Sequence, residues 1–153
     1  MNTIEKVYQV AEIQIKYIPK KKIGPVITSP IEAVKVLKNF YDPNSINLQE
    51  EFLILYLNQN NGLIGVYKVS KGTINATLVD VRLVMSVGLK LASTSIILSH
   101  NHPSGNLKPS ENDKRITKKI VEAGKLLDIN IIDHIIINPG FKFYSLSENN
   151  EMG

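Results

Sequence analysis

Short apolar runs of strand length alternate along this chain with segments of helical periodicity, and this interleaving restricts the fold more than any other feature. Residues 52–57 form a continuous apolar run, and residues 94–99 form a second short run rich in residues that favour strands. Segments whose apolar residues recur at helical spacing lie before, between and after these runs. The interleaving predicts an α/β fold, in which a mixed β-sheet is flanked by helices.

Turn and cap residues give the predicted elements approximate boundaries. Asn-Asn-Gly at residues 60–62 predicts a hairpin, and Ser29 before Pro30 predicts the start of a helix. The predicted elements, in chain order, are a strand at residues 7–17, a helix at 29–41, strands at 52–57, 63–69 and 73–78, a helix at 81–91, a strand at 94–99, a loop at 100–109, a helix after Ser110, and strands at 129–137 and 141–146.

Length and composition place the chain among ordinary soluble domains. With 153 residues and 43% hydrophobic side chains, it is expected to form one core. It contains no run near the ~20 apolar residues of a membrane helix and no visible secretory signal, so a cytoplasmic location is expected. The absence of cysteine excludes disulfides, thiolate metal sites and a cysteine nucleophile. The net charge of +4 is only weak support for a polyanionic partner, and lysines 20–22 are interpreted as a solvated loop.

Two of the three histidines stand close together at the end of a predicted strand. His100 and His102 are two residues apart, so an extended backbone projects both side chains to the same side. Pro103 cannot donate to a strand ladder and Gly105 permits unusual dihedral angles, so the strand should end there in a sharp turn. The two imidazoles are therefore expected to converge at the rim of the sheet, where α/β proteins place their sites.

Asp113 is the third candidate ligand. One interpretation is structural, with Ser110 as N-cap and Asp113 as an acidic residue in the first turn of the helix. However, Asp113 precedes Ile116 and Ile120 by three and seven residues, which places it on the apolar stripe of the helix. A carboxylate on that face needs a partner, and a cation shared with the histidines would supply one. The two interpretations are compatible.

Two imidazoles, one carboxylate and an open fourth position make up the ligand set of a catalytic zinc site. Such a site also needs a base. Glu50 and Glu51 stand directly before the apolar run 52–57, and either one alone would be interpreted as a solvated residue. Strand parity sends their side chains to opposite faces of the sheet.

These residues together resemble the JAB1/MPN/Mov34 metalloenzyme family, defined by the JAMM motif, and in particular its bacterial RadC-like branch. The match consists of His-Asn-His-Pro-Ser-Gly at residues 100–105, Ser110, Asp113 and a glutamate that opens a strand far upstream. Similar residues extend from about position 29 to position 146.

The resemblance implies a cytidine-deaminase-like α/β/α fold of the JAB/MPN type and a zinc-dependent peptidase or isopeptidase activity. It implies that His100, His102 and Asp113 hold Zn²⁺. It also implies that Ser110 donates the hydroxyl that stabilises the oxyanion of a tetrahedral intermediate.

The resemblance also favours one of the two glutamates as the proton shuttle. The glutamate of RadC-like sequences stands two residues before the phenylalanine that corresponds to Phe52, which favours Glu50 over Glu51. His134 lies beside Asp133 among isoleucines and is interpreted as a hydrogen-bonded structural histidine rather than a fourth ligand.

The predicted organisation is an N-terminal arm and basic loop at residues 1–28, a RadC-like JAB/MPN domain at 29–147 and a flexible tail at 148–153. RadC-like proteins usually carry a helix-hairpin-helix region ahead of this domain, and residues 1–28 show no paired helices. The DNA contact that this region would make is therefore not expected here. The RadC name is associated with DNA repair, but the sequence shows no Arg-rich helix that would support this role.

Three functions are compatible with these residues. The first is a zinc metallopeptidase acting on a peptide or protein, without a membrane partner. The second is a RadC-like binding module, associated with DNA repair or mobile elements, whose metal is structural or vestigial and whose partner includes nucleic acid. The third is hydrolysis of another bond, although zinc deaminases use cysteine ligands that this chain lacks. The adjacent string His-Asn-His does not indicate an HNH nuclease, whose three residues are dispersed over a ββα unit.

Overall fold

The computed structural model describes residues 10–20, 22, 24–71 and 79–153. Three helices and five strands are assigned in this part of the chain. In chain order they are α1 (Pro30–Leu37), β1 (Glu51–Leu57), β2 (Leu63–Lys71), α2 (Val81–Lys90), β3 (Ser95–Asn101), α3 (Glu111–Leu126), β4 (Asn130–Ile137) and β5 (Phe143–Ser145).

The strands form one mixed sheet in the order β2-β1-β3-β4-β5. Strand β1 pairs antiparallel with β2 and with β3, β3 pairs parallel with β4, and β4 pairs antiparallel with β5. Helix α3 makes the crossover between the parallel strands, as such a connection requires. The predicted α/β class with a mixed sheet is confirmed. The central strand β3 is buried along its whole length.

The helices lie on both faces of the sheet because strand residues alternate between two hydrophobic clusters. On one face, helix α1 packs through Ala33, Val34 and Leu37 against odd-numbered positions such as Leu53 and Leu55. On the other face, helices α2 and α3 pack against even-numbered positions of the central strands, among them Phe52, Ile54, Ile96 and Leu98. The result is the α/β/α arrangement, with one hydrophobic cluster on each face of a single sheet.

The boundaries differ from the predicted ones at two places that bear on the site. Helix α1 ends at Leu37 rather than near Tyr41, whose ring is instead buried and whose hydroxyl lies 2.7 Å from the Ser99 hydroxyl. Strand β3 continues two residues beyond the predicted end, because His100 and Asn101 still pair with β4. His100 is therefore part of the ladder rather than of a loop.

The predicted strand at residues 7–17 is wrong for the residues that the structure describes. Residues 10–17 form no regular element, and the side chains of Ile13 and Ile15 are 84% and 78% exposed. No strand within the described ranges pairs with them, and alternation alone does not fix a strand without a partner. Residues 7–9 and the predicted strand at 73–78 lie outside the described residues.

The C-terminal residues make contacts with helix α3. Lys114 Nζ lies 3.7 Å from a carboxylate oxygen of Glu151. Met152 packs against the hydrophobic cluster that lies between the sheet and helices α2 and α3. The division of the chain at residues 28 and 147 and the flexibility of the tail stay predictions. Throughout the described ranges, no helix is both long and apolar enough to cross a membrane.

Candidate metal centre

The candidate metal centre lies where β3 ends and α3 begins. His100 is the penultimate residue of β3, His102 follows the strand directly, and Asp113 stands in the first turn of α3. The two histidines project from the face of the sheet that α2 and α3 cover. The chain turns away after Pro103 at Gly105, whose φ of 88° is a conformation that favours glycine.

The three predicted metal ligands converge on one point. His100 Nε2 lies 2.9 Å from His102 Nε2 and 3.2 Å from Asp113 Oδ1. His102 Nε2 lies 3.3 Å from Asp113 Oδ2. In a tetrahedral zinc site with bonds of about 2.0–2.1 Å, the ligand atoms stand about 3.3 Å apart. The two imidazole nitrogens and the two oxygens of the Asp113 carboxylate therefore already lie close to the mutual spacing that one divalent cation needs.

His102 is oriented by a backbone carbonyl. Its Nδ1–H donates to the carbonyl oxygen of Asn106 at 2.6 Å, which leaves Nε2 as the nitrogen that faces the other ligands. Burial disfavours charge on this ring, but its hydrogen bonds to Asp113 and to the Asn106 carbonyl, together with the charges of Asp113 and Glu50, raise the pKa of His102 above its ordinary value. The negative charges of Asp113 and Glu50 thus stabilise positive charge at this position.

Asp113 serves the helix and the candidate site at once. Ser110 Oγ accepts from the Asp113 N–H at 3.0 Å, and Asp113 Oδ2 accepts from the Ser110 N–H at 2.8 Å, which completes a capping box. Burial alone would raise the pKa of Asp113, but hydrogen bonds from His100 and His102 hold it well below its ordinary range. The carboxylate is thus ionised and fixed in direction.

Behind the site, His100 is held by a third histidine. His100 Nδ1 lies 2.7 Å from His134 Nε2, and Thr117 Oγ1 lies 2.5 Å from His134 Nδ1. The Thr117 hydroxyl also donates to the Asp113 carbonyl at 2.6 Å. Burial and the neighbouring His100 lower the pKa of His134 well below its ordinary value, so this ring is neutral. His134 is hydrogen-bonded through both nitrogens and does not belong to the converging set.

The structure places the two predicted base candidates on opposite faces of the sheet. Glu50 lines the same cavity as His100 and His102. Glu51 is fully buried on the opposite face, where it accepts from the Ser45 hydroxyl at 2.7 Å and its other oxygen lies 2.8 Å from Lys68 Nζ. Only Glu50 therefore lies beside the converging ligands, although the role of base stays a prediction.

Asn101, between the two histidines, points to the opposite face and binds the segment that carries Glu50. Its Oδ1 accepts from the Glu51 N–H at 2.6 Å, and its Nδ2 donates to the carbonyls of Ile46 and Gln49, both at 2.9 Å. One buried amide thus satisfies three backbone groups of residues 46–51. The strand that bears the ligands and the loop that bears Glu50 are held in one relative position.

An open cavity of about 760 Å³ gives access to the ligands. Besides Glu50 and the three candidate ligands, its walls are formed by Asn47, Phe52, Val79, Pro103, Ser104, Asn106, Lys108, Ser110, Asn112 and Ile116. Ser110 lies at its edge as the N-cap of α3. All five predicted site residues, Glu50, His100, His102, Ser110 and Asp113, therefore border one cavity.

Sequence reasoning missed two residues of this region. Asn101 is part of the matched motif, but nothing in the local pattern shows its contact with a segment about fifty residues upstream. Thr117 has a local signal, because it follows Asp113 by four residues and so lies one helical turn along the same face. A polar residue at that position on an apolar stripe needs a partner.

Comparison with known proteins identifies similar sequences over most of the chain. The family model described as RadC-like JAB domain matches residues 27–152. A UPF0758 protein of Flavobacterium johnsoniae is 54% identical over 96 residues, which cover 63% of this chain and 42% of that protein. A UPF0758 protein of Methanosarcina mazei is 40% identical over 130 residues, or 85% of this chain and 53% of that protein.

A third relative gives the same result. A UPF0758 protein of Shouchella clausii is 40% identical over 128 residues, which are 84% of this chain and 54% of that protein. The chain thus spans about half the length of the curated relatives it matches.

Proposed function

The chain belongs to the RadC-like JAB domain family, and from this premise we propose that it is a zinc-dependent hydrolase that cleaves a peptide or isopeptide bond. The observation that carries the proposal is the convergence of His100, His102 and Asp113 at the floor of a cavity that Glu50 also lines. Two neutral imidazole nitrogens and one carboxylate leave one position of a tetrahedral site open, as a catalytic zinc site requires.

Zinc is the metal that this donor set favours. Imidazole nitrogens suit zinc and the neighbouring transition metals, whereas Mg²⁺ and Ca²⁺ prefer oxygen ligands. Each histidine makes its second hydrogen bond through Nδ1, so both present Nε2 to the same point. Outer contacts of this kind orient the histidines of zinc sites.

When bound here, zinc supplies a Lewis acid that lowers the pKa of a coordinated water to about 7. The Glu50 carboxylate accepts the proton of the attacking water and later delivers it to the leaving nitrogen. Glu50 is suited to this exchange because it is half-buried at the wall of the cavity, where water and substrate can both reach it.

Ser110 supplies the hydrogen bond to the reacting carbonyl. Its Oγ already accepts from the Asp113 N–H, and a hydroxyl that accepts one hydrogen bond still has its own O–H to donate. Because the capping box fixes the Ser110 side chain at the edge of the cavity, the donor is in place before the substrate binds.

The substrate is a peptide or protein segment that enters the open cavity beside Lys108 and Asn106. The activity, substrate and partners of a whole protein of this family are part of the same proposal, because the matched residues cover only about half of each of these relatives.

The first test is metal content. We expect purified wild-type protein to retain about one zinc per chain after mild chelation, and His102→Ala and Asp113→Asn each to lose it. Elemental analysis of the three proteins measures this directly. Wild-type protein that holds no metal, even after zinc is added back, would contradict the proposal and favour the binding module with a vestigial site.

The second test separates metal binding from chemistry. Glu50→Ala is expected to retain zinc and to lose hydrolysis of peptide or isopeptide-linked substrates, by a factor of about 10² or more. Glu122→Ala, which removes an exposed carboxylate of α3 outside the cavity lining, is the matched control. Hydrolysis that survives in Glu50→Ala would remove Glu50 from the mechanism.

A further inference from the structure

The two histidine ligands depend on different partners for their orientation. His102 donates through Nδ1 to the Asn106 carbonyl, and a carbonyl can only accept, so the proton of the neutral ring is fixed on Nδ1. His100 has another imidazole at this position, the Nε2 of His134 at 2.7 Å. An imidazole nitrogen can donate or accept, so this contact alone does not fix the proton of His100.

Thr117 determines the direction of that contact. Its hydroxyl has a single hydrogen, which it donates to the Asp113 carbonyl at 2.6 Å. Toward His134 Nδ1 the Thr117 oxygen can therefore only accept. A neutral His134 has one N–H, which must then lie on Nδ1, and its Nε2 becomes the acceptor for the His100 Nδ1–H.

The opposite direction would place a proton where the metal must bind. If His134 donated from Nε2, the Nδ1 of His100 would have to accept, and the proton of that ring would lie on Nε2, between His102 and Asp113. Water cannot easily correct such an arrangement, because Thr117 and His134 are fully buried and His100 is 2% exposed. The direction of the whole chain of hydrogen bonds is therefore set within the protein.

We propose that Thr117 and His134 are positioning residues that hold His100 as the Nδ1–H tautomer, so that its Nε2 lone pair faces the metal. The inference rests on metal binding at the site of the proposed function and adds two residues behind the ligands. Asp113 then contributes twice, with its carboxylate as a ligand and with its backbone carbonyl as the fixed end of the relay.

A matched pair of variants at position 117 tests the relay. Thr117→Val keeps the shape of the side chain but removes the hydroxyl, whereas Thr117→Ser keeps the hydroxyl. We expect zinc affinity, measured by competition with a chromophoric chelator, to fall about 10- to 100-fold in Thr117→Val and to stay within a few-fold of wild type in Thr117→Ser. Equal affinities in Thr117→Val and wild type would overturn the proposal.

A second measurement needs no substitution. In metal-free protein, long-range ¹H–¹⁵N NMR of the imidazoles assigns the protonated nitrogen of each ring, and we expect Nδ1–H at His134. A His134 ring protonated at Nε2 would overturn the relay. These readouts are distinct from hydrolysis: a protein that binds zinc as expected but cleaves nothing would contradict the proposed function and leave the relay intact.

Discussion

The Oδ1 of Asn101 accepts a hydrogen bond of 2.6 Å from the backbone N–H of Glu51, across two neighbouring strands of the sheet. Asn101 stands between the two candidate ligands His100 and His102, and Glu51 follows the candidate base Glu50. Because side chains alternate along a strand, the histidines face the cavity while Asn101 faces the other way. The adjoining ends of β1 and β3 therefore place Glu50, His100 and His102 beside the cavity, and the contact of Asn101 with Glu51 lies on the opposite face.

Asn101→Ala is expected to lower the rate of hydrolysis more than the affinity for zinc. Two buried backbone groups and one half-buried backbone group lose their partner, so we expect the free energy of unfolding to fall by about 2–3 kcal/mol. Zinc affinity should change little, because the ligands lie on the opposite face, while hydrolysis should fall at least tenfold as Glu50 loses its fixed position. Urea unfolding, chelator competition and turnover measure the three effects. Loss of zinc binding with normal turnover per bound zinc would contradict this role.

The two adjacent glutamates should differ in their effect on stability. Glu51→Gln removes the charge that pairs with half-exposed Lys68, and we expect a loss of about 1–2 kcal/mol, between the values for surface and buried ion pairs. Glu50→Gln should change stability by no more than about 0.5 kcal/mol, because Glu50 lines the open cavity. Parallel urea titrations in the presence of a chelator compare them. The reverse order would mean that the faces of the two side chains are exchanged in solution.

The alternation of strands and helices, the hairpin and the common direction of His100 and His102 were predictable because each depends on local spacing. His100 and His102 face the same way in any extended strand, and the capping pattern of Ser110 and Asp113 is visible within four residues. The opposite faces of Glu50 and Glu51 follow from strand parity alone.

Contacts between distant segments were not predictable from the sequence. The end of β3 depends on its pairing with β4, which continues through Asn101. The amide of Asn101 and the hydroxyl of Thr117 find partners 50 and 17 residues away, respectively. Alternation at residues 10–17 predicted a strand that does not form, because a strand also needs a neighbour. Local pattern gives the direction of a side chain, but only the assembled sheet supplies the group that it meets.

The close approach of α3 to β4 should make Gly124 sensitive to substitution. A Cβ at this position would lie 2.4 Å from the backbone carbonyl oxygen of Ile129, which cannot move aside as a flexible side chain can. We expect Gly124→Ala to destabilise the fold by about 2–3 kcal/mol, despite the better helix propensity of alanine. At Gly65 in β2 no atom lies within 4 Å of the added carbon, so Gly65→Ala should change stability by less than about 1 kcal/mol. Thermal or urea unfolding of both variants checks the difference, and a neutral Gly124→Ala would contradict the packing of α3 against β4.

Asp133 should make the stability of the domain depend on pH in the direction opposite to that of most paired carboxylates. It is buried beside Ser145, whose hydroxyl donates to it at 2.6 Å, and it also accepts from the backbone N–H groups of His134 and Ser147. Burial raises its pKa despite these hydrogen bonds, which lower it. In the unfolded chain an aspartate has a pKa of about 3.9.

Between the unfolded and the folded pKa, the native state therefore binds more protons at Asp133 than the unfolded state does. The contribution of Asp133 to stability is then complete below about pH 3.9 and declines as the pH rises through the folded pKa. Asp133→Asn removes this ionisation and keeps a polar group of similar shape. The stability of the variant relative to wild type should therefore increase from pH 3.5 to pH 7, as measured by urea unfolding of both proteins in the presence of a chelator. A difference that is constant with pH, or that decreases, would mean that the hydrogen bonds to the carboxylate outweigh its burial.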